Sequence, residues 1–223
     1  MRCSQCRKEA VIFQSYSGKH LCRDHFLIDF EAKAKRLVRQ NQWMRPGDHI
    51  GILLRGGPAD YALLVFFRRL AGNRRDVRVF GVDIPATGSD PAAYARDCGA
   101  TKIARATPLE DAAAGALTDI LRGYPEDSTL PGGPPADTLP VITPFCHIPA
   151  AEIVMYAEIH GFKGAEQLPV AEDPPLLTEV KHLLAGYTER HPAAPHAILR
   201  FCESVRTCEG DRRGVRHSPT PNS

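Results

Sequence analysis

Between His49 and Leu70 the chain passes from one apolar stretch, through a glycine turn, into a second apolar stretch of different period. Ile50–Leu54 has the short, unbroken apolar character of a buried strand. Arg55-Gly56-Gly57-Pro58 reads as a turn, and the residues from about Asp60 to Leu70 as an apolar helix. A strand that enters a helix through glycines brings backbone N–H groups and a helix N-terminus to one point, the layout that holds a phosphate. The stretch also constrains the architecture around it, because a strand without polar alternation needs cover on both faces.

The rest of the body repeats the alternation. Val77–Val82 reads as a second strand with Asp83 at its end, and Pro91–Cys98 as a short helix closed by Gly99. Lys102–Ala106 reads as a third strand. Leu109–Leu121 reads as a helix with Glu110 and Asp111 in its first turn, where the dipole favours negative charge. Leu139–Phe145 is expected to be the last strand, followed by helices over Pro149–His160, Pro174–Arg190 and His196–Val205. The fold class expected is α/β: a Rossmann-like domain with a parallel sheet and flanking helices. A right-handed crossover places the Gly56-Gly57 turn at the C-terminal edge of that sheet, where such folds bind ligands. Tyr124–Thr138, rich in proline and glycine, is expected to be an irregular loop.

Ahead of this body stands a different kind of module. Cys3-x-x-Cys6, fifteen residues, then Cys22-x-x-His25 is a four-donor set of the kind that closes around a tetrahedral zinc. Val11, Phe13 and a Ser17-Gly18 turn suggest a β-hairpin between the two ligand pairs, and His20 is expected to be exposed on it. A module this small has little core, so metal binding is expected to supply its folding free energy. Four protein ligands leave no open position, which argues for a structural zinc rather than a catalytic one. The chain has seven cysteines, no run of about 18 apolar residues and no apolar segment in MRCSQCRKEA, so a cytoplasmic, metal-binding reading is favoured over a secreted or membrane one. Of the other cysteines, Cys98 and Cys202 are expected to be packed as small apolar residues, and Cys146 and Cys208 have no partners at zinc spacing. Leu27, Phe30, Ala34, Leu37 and Val38 recur at helical spacing and predict a bridging helix over 27–42, with Lys33, Lys35, Arg36 and Arg39 off the apolar face. Those cations suit either a solvated face or a phosphate-backbone contact.

The turn at Arg55–Asp60 resembles the fingerprint of the PP-loop ATP-pyrophosphatases, Ser-Gly-Gly-Lys-Asp-Ser, with Leu63-Leu64 following in step. The glycines are kept; the family's lysine and aspartate are replaced by Pro58 and Ala59. The order Cys-x-x-Cys, hairpin, Cys-x-x-His-Phe, Phe-Glu-x-Lys-x-x-Arg helix, Gly-Asp and strand is similar to that of the tRNA 2-thiolation proteins, which make 2-thiouridine in tRNA. The residues that carry it are Cys3, Cys6, Cys22, His25, Phe26, Phe30, Glu31, Lys33, Arg36, Gly47 and Asp48. Further on, Leu109 and Asp111 keep step with a family segment, as do Pro149 with Glu152 and Glu189 with His191-Pro192. The resemblance covers most of residues 1–205. It departs where the family has its active-site cysteines: Ile84–Ala93 holds none, and Leu168 stands before Pro169 where a third is usual.

The resemblance implies ATP-dependent adenylation of a uridine oxygen and its replacement by sulfur. Such chemistry needs the triphosphate held by positioned donors, cations and metal. Gly56 and Gly57 are expected to keep an anion nest, whereas Pro58 has no N–H and removes a donor. The joint losses imply a degenerate member: a non-catalytic zinc-bearing subunit or tRNA-docking partner, paired with an active paralogue as a heterodimer or forming a homodimer. The alternatives are an active ATP-dependent tRNA sulfurtransferase with an atypical loop, and a nucleotide-binding regulatory module. For these, Arg55, Gly56, Gly57, Asp60, Asp83 and Asp111 are the candidate ATP ligands. The cofactor expectation is structural zinc on Cys3, Cys6, Cys22 and His25, with no iron-sulfur cluster. The domain division expected is a zinc module at 1–26, the bridging helix at 27–48, the α/β domain at 49–205 and a basic, disordered tail at 206–223.

Overall fold

The computed structural model describes residues 1–83, 91–123, 139–164 and 173–214, with backbone alone for residues 91 and 206–214. Along the chain, strands β1 (Ile12–Gln14) and β2 (Lys19–Leu21) form an antiparallel hairpin and lead into helix α1 (Arg23–Gln40). Then follow β3 (His49–Leu54), α2 (Pro58–Ala71), β4 (Arg78–Asp83), α3 (Pro91–Asp97), β5 (Lys102–Ala104) and α4 (Leu109–Leu121). The described chain ends with β6 (Val141–Ile142), α5 (Ala150–Ile159), α6 (Pro175–Thr188) and α7 (Ala194–Gly214).

The four body strands lie in the order β4-β3-β5-β6, and every pairing is parallel. The order reverses between β3 and β5, so the crevice above their C-terminal ends is the topological switch point at which open α/β sheets take ligands. Alternation sorts the strand residues between two cores. Ile50, Ile52, Ala104 and Ile142 join the main cluster with α1, α2, α4 and α5; Leu53, Val82 and Ile103 join a smaller one with Ala95 and Ala100 beside α3. On that second face Gly51 is closely packed: a Cβ would stand 3.1 Å from Ala100 Cβ and 3.2 Å from Val82 Cγ2.

Aromatic packing joins α1 to the body. Phe30 is fully buried, stacks on Tyr156 at 4.1 Å and meets Phe145 edge-on at 5.1 Å. The turn before β3 is tied down by Asp48, whose Oδ2 accepts from Arg45 N at 2.6 Å and from Lys102 Nζ at 2.6 Å. The hairpin is latched by polar contacts instead. The Tyr16 hydroxyl donates to Glu152 Oε1 at 2.7 Å, Lys33 Nζ lies 3.5 Å from Glu152 Oε2, and Gln14 Nε2 donates to Asp29 Oδ2 at 2.9 Å. Burial holds the Glu152 carboxyl above its ordinary range, against the pull of Lys33 and Tyr16.

Several boundaries differ from those read in the sequence. The bridging helix starts at Arg23, not at 27, so Cys22 is its N-cap and His25 lies in its first turn. The module and the helix are therefore continuous. The third strand stops at Ala104, and the chain leaves for Pro108, the N-cap of α4. The last strand is only Val141–Ile142. The apolar residues after it are buried by a turn, in which Cys146 N donates to Thr143 O and Ile148 N to Phe145 O. The basic tail expected to be disordered from 206 is helical to Gly214, because no proline interrupts the chain between His196 and Arg216 and an isolated glycine is tolerated. Cys98 is exposed, since Ala95 and Ala100 take the inward positions around the end of α3, whereas Cys202 is buried as expected. Tyr124–Thr138, Ile84–Asp90 and Leu168-Pro169 lie outside the described residues.

Candidate functional site

The hairpin brings its ligand pairs together by folding Cys3 and Cys6 back over the start of α1. Cys3 N donates to Lys8 O at 3.0 Å and Ser4 N to His20 O at 2.7 Å, which fixes the first knuckle against β2. Cys6 Sγ lies 3.7 Å from Cys22 Sγ, and His25 Nδ1 lies 3.4 Å from both Cys3 Sγ and Cys22 Sγ. All four donor atoms fall within 4.8 Å of one another, which is the convergence a metal centre requires. Cys22 makes no side-chain cap on α1; its sulfur is turned to the other donors instead. Burial works against ionisation of Cys3, but hydrogen bonds from the Gln5 backbone and from Cys22, His25 and Cys6 bring its thiol down to about 6, so the thiolate a metal needs is present at neutral pH.

The second site is a cavity of about 390 Å³ at the C-terminal edge of the sheet, with Leu53, Arg55, Arg105, Thr107, Thr143 and Lys181 among its lining. Parallel strands deliver the residues that follow them to one edge: Arg55 after β3, Arg105 after β5 and Thr143 after β6. Burial and then the neighbouring Arg55 charge hold the Arg105 guanidinium below its ordinary range. Neither guanidinium has a carboxylate within ion-pair distance among the described residues. Cys146 also faces the cavity, but burial pushes its thiol up to about 12, which leaves it protonated and a poor nucleophile.

The glycine loop is occupied from within. Gly56 takes φ +83°, open to glycine at little cost, and Gly57 caps α2 with Pro58 at N1. Asp60, at N3, turns its carboxylate back and accepts from Arg55 N at 2.8 Å. Burial holds this carboxyl above its ordinary range, although the N–H groups of Arg55 and Gly57 and the Arg55 charge all favour its ionised form. This is the reach of a capping box, and it places a resident anion on donors that would otherwise face a phosphate. Asp111 is likewise engaged: Lys181 Nζ lies 2.8 Å from its Oδ1 and 2.7 Å from Asp173 Oδ2.

Of the six residues expected around a nucleotide, Arg55, Asp60 and Asp111 line the cavity and Gly56 and Gly57 form the loop beside it. Asp83 ends the edge strand, opposite Leu54, and is not part of the lining. The Asp60 carboxylate takes the Arg55 N–H, directly ahead of the two glycines. Arg105, Thr143 and Lys181 went unread. Aligning the last residues of successive parallel strands finds the first two; nothing in the sequence marks Lys181, which α6 brings in from a distance.

Residues 2–27 match the family model for the 2-thiouridine synthetase TtuA N-terminal LIM domain. The tRNA 2-thiolation protein NcsA of Haloferax volcanii is 42% identical over 48 residues, covering 22% of this chain and 15% of that protein. The tRNA-5-methyluridine(54) 2-sulfurtransferase of Thermus thermophilus is 30% identical over 70 residues, covering 31% of this chain and 22% of that protein. The matched segments thus span less than a quarter of either relative. The solved U34-tRNA thiolase NcsA from Methanococcus maripaludis, which carries a 4Fe-4S cluster, superposes with a TM-score of 0.73 at 14% identity, over 92% of this chain and 87% of that one. At that identity the superposition speaks for the fold. Family model, relatives and solved structure agree that this chain resembles the TtuA/NcsA-type tRNA 2-thiolation proteins. They also correct the cofactor expectation, which was zinc without an iron-sulfur cluster. A protein of this fold carries such a cluster, and a thiolate-rich donor set like Cys3, Cys6, Cys22 and His25 suits iron-sulfur chemistry as well as a single ion. No helix among the described residues is long and apolar enough to cross a membrane.

Proposed function

We propose that this chain is a tRNA 2-thiolation protein of the non-catalytic kind, which docks RNA or an active paralogue and leaves the ATP-dependent step to its partner. The observation that carries the reading is the Asp60 carboxylate on the glycine loop, 2.8 Å from Arg55 N. A triphosphate arriving there meets a negative group at the very donors it needs, and Pro58 offers no N–H in compensation. Removing one positioned donor commonly costs about 10²–10³ in rate, and here a donor and the family's lysine are missing while the Arg55 N–H is already taken by Asp60. Asp111, one of the acids that line the cavity, is paired with Lys181. The protonated Cys146 offers no replacement for the family's reactive cysteines. The metal centre at Cys3, Cys6, Cys22 and His25 supplies folding free energy to the N-terminal module, which α1 then presents beside the body.

Calorimetric titration of Mg-ATP tests this reading. The wild type is expected to give no binding heat at millimolar nucleotide. Asp60→Ala, which frees the loop donors, is expected to gain weak binding through Arg55 and Arg105. Micromolar binding by the wild type, with AMP released only when tRNA is present, would establish the active sulfurtransferase instead. Arg55 and Arg105, which have no ion-pair partner among the described residues, favour one second reading, a module that binds a small anion or nucleotide for regulation. It predicts binding without tRNA-dependent AMP release.

A further inference from the structure

Away from the sheet edge, two cavities of about 720 Å³ each meet at Tyr16 and Ala193, one lined by α6 and α7 and the other by α1 and α7, and are taken together as one trough. The half beside α1 is lined by two cations, Arg36 on α1 and Arg200 on α7, and by the Glu203 carboxylate, which is held 2.7 Å from His147 Nε2. Both arginine side chains are exposed, and neither has an ion-pair partner among the described residues. Lys33, by contrast, is engaged by Asp29 and Glu152.

The same lining holds flat rings. Tyr16 packs on His196 at 4.7 Å, and the His147 and His196 rings are nearly parallel, 6° apart in plane with centroids 6.4 Å apart. His196 Nε2 is buried without a hydrogen-bond partner. Burial, then the charges of His147, Lys33 and Arg200, push that imidazole down to about 4, so the ring is neutral at pH 7. The outer half of the trough adds Tyr187, 49% exposed and stacked on His191 at 4.4 Å, with Arg190 beside them.

We infer that this trough binds a single-stranded segment of RNA, with Arg36 and Arg200 on successive phosphates and the Tyr187–His191 pair under a base. Guanidiniums that track a backbone, interleaved with exposed ring faces, are the physical basis of single-strand binding. An acidic peptide would use the two arginines and leave the rings idle. The cleft is wide enough for a nucleotide unit, within the range of about 300–1,000 Å³ usual for ligand pockets. The cations that the sequence placed off the apolar face of α1 thus divide: Lys33 latches the hairpin, Lys35 pairs with Glu31, and Arg36 is left for the ligand. The inference rests on the docking function proposed above and names the surface that performs it.

The test is fluorescence anisotropy of a fluorescein-labelled twelve-nucleotide RNA and of a labelled tRNA transcript, titrated with the full chain across a salt series. Arg36→Gln combined with Arg200→Gln is expected to weaken binding of both probes at least tenfold. Two lost phosphate contacts are expected to flatten the log–log salt dependence by about 1.4. Tyr187→Ala is expected to weaken binding about tenfold with the salt slope unchanged, as loss of one stacked base requires. Arg75→Gln, in the turn before β4, serves as the control and is expected to bind like the wild type. All replaced side chains are exposed, and matched thermal melting curves verify the fold. If the wild type binds RNA and the trough variants bind equally well, the trough is not the site, and RNA docking itself survives. If the wild type binds neither probe, both the trough and the RNA-docking function fall.

Discussion

Cys22→Ser is expected to strip the N-terminal module of its metal and unfold it, while leaving the α/β body folded. Cys22 is 2% exposed, and its sulfur stands 3.7 Å from that of Cys6 and 3.4 Å from His25 Nδ1, so no solvent ligand can take its place without opening the site. Changes even to groups that only orient metal ligands cost about 10- to 100-fold in affinity, so loss of a direct thiolate is expected to cost more than about 100-fold. Without metal the module retains a hairpin of two three-residue strands, with Leu21 as its one fully buried apolar side chain. Such a hairpin is not stable in water by itself. The measurements are transition-metal and acid-labile sulfide content after dialysis, together with limited proteolysis. Cleavage is expected within the module and not in α2 or α4. Wild-type metal content and an intact N-terminus in Cys22→Ser would remove the metal centre from the account.

Phe30→Ala is expected to destabilise the whole chain by about 3–5 kcal/mol, the usual cost of emptying a buried phenylalanine site. Phe30 is the point at which α1 enters the main core, between Tyr156 at 4.1 Å and Phe145 at 5.1 Å, with Phe26 at 6.0 Å. The cavity has little means of collapse, because its walls come from α1, α5 and the turn after β6, and each is anchored elsewhere. Ile153 and Ala157 hold α5, while the Ile148 and Cys146 backbone bonds hold the turn. Chemical denaturation followed by circular dichroism measures the loss. A change below about 1 kcal/mol would mean that α1 is not packed as described. The two variants separate the two ways in which this chain is held together: Cys22→Ser removes a local staple, whereas Phe30→Ala weakens the shared core.

The contrast between the hairpin and the body runs through both sites. The hairpin is joined to the body by Tyr16, Gln14 and Lys33 acting on Glu152 and Asp29, and polar latches of this kind are set by distance and burial rather than by pattern. Glu152 illustrates the difference. In the sequence it keeps step with a family segment after Pro149; in the structure it is a buried carboxylate that receives the module's tyrosine.

Local periodicity and spacing were enough to determine the element order, the parallel sheet, the cluster of Cys3, Cys6, Cys22 and His25 and the place of the glycine turn. Each depends on residues close in sequence: two knuckles of Cys-x-x-Cys and Cys-x-x-His, an apolar run before Gly56-Gly57, a helix face of Phe30, Ala34, Leu37 and Val38. Where an end was misjudged, at α1, β6 and α7, the local signal was continuous and the boundary was set by what the chain met in space. Only the tertiary structure decided which partners the site residues meet. In the sequence Asp60 reads equally well as a nucleotide neighbour or as a cap, and the 2.8 Å contact to Arg55 N closes over five residues. Asp111 became a partner of Lys181 across 70 residues of chain, and Arg105 joined Arg55 because parallel pairing brings their strand ends to one edge. Charge and hydrogen-bond partners are assigned by proximity across the fold, and a linear pattern does not carry that information.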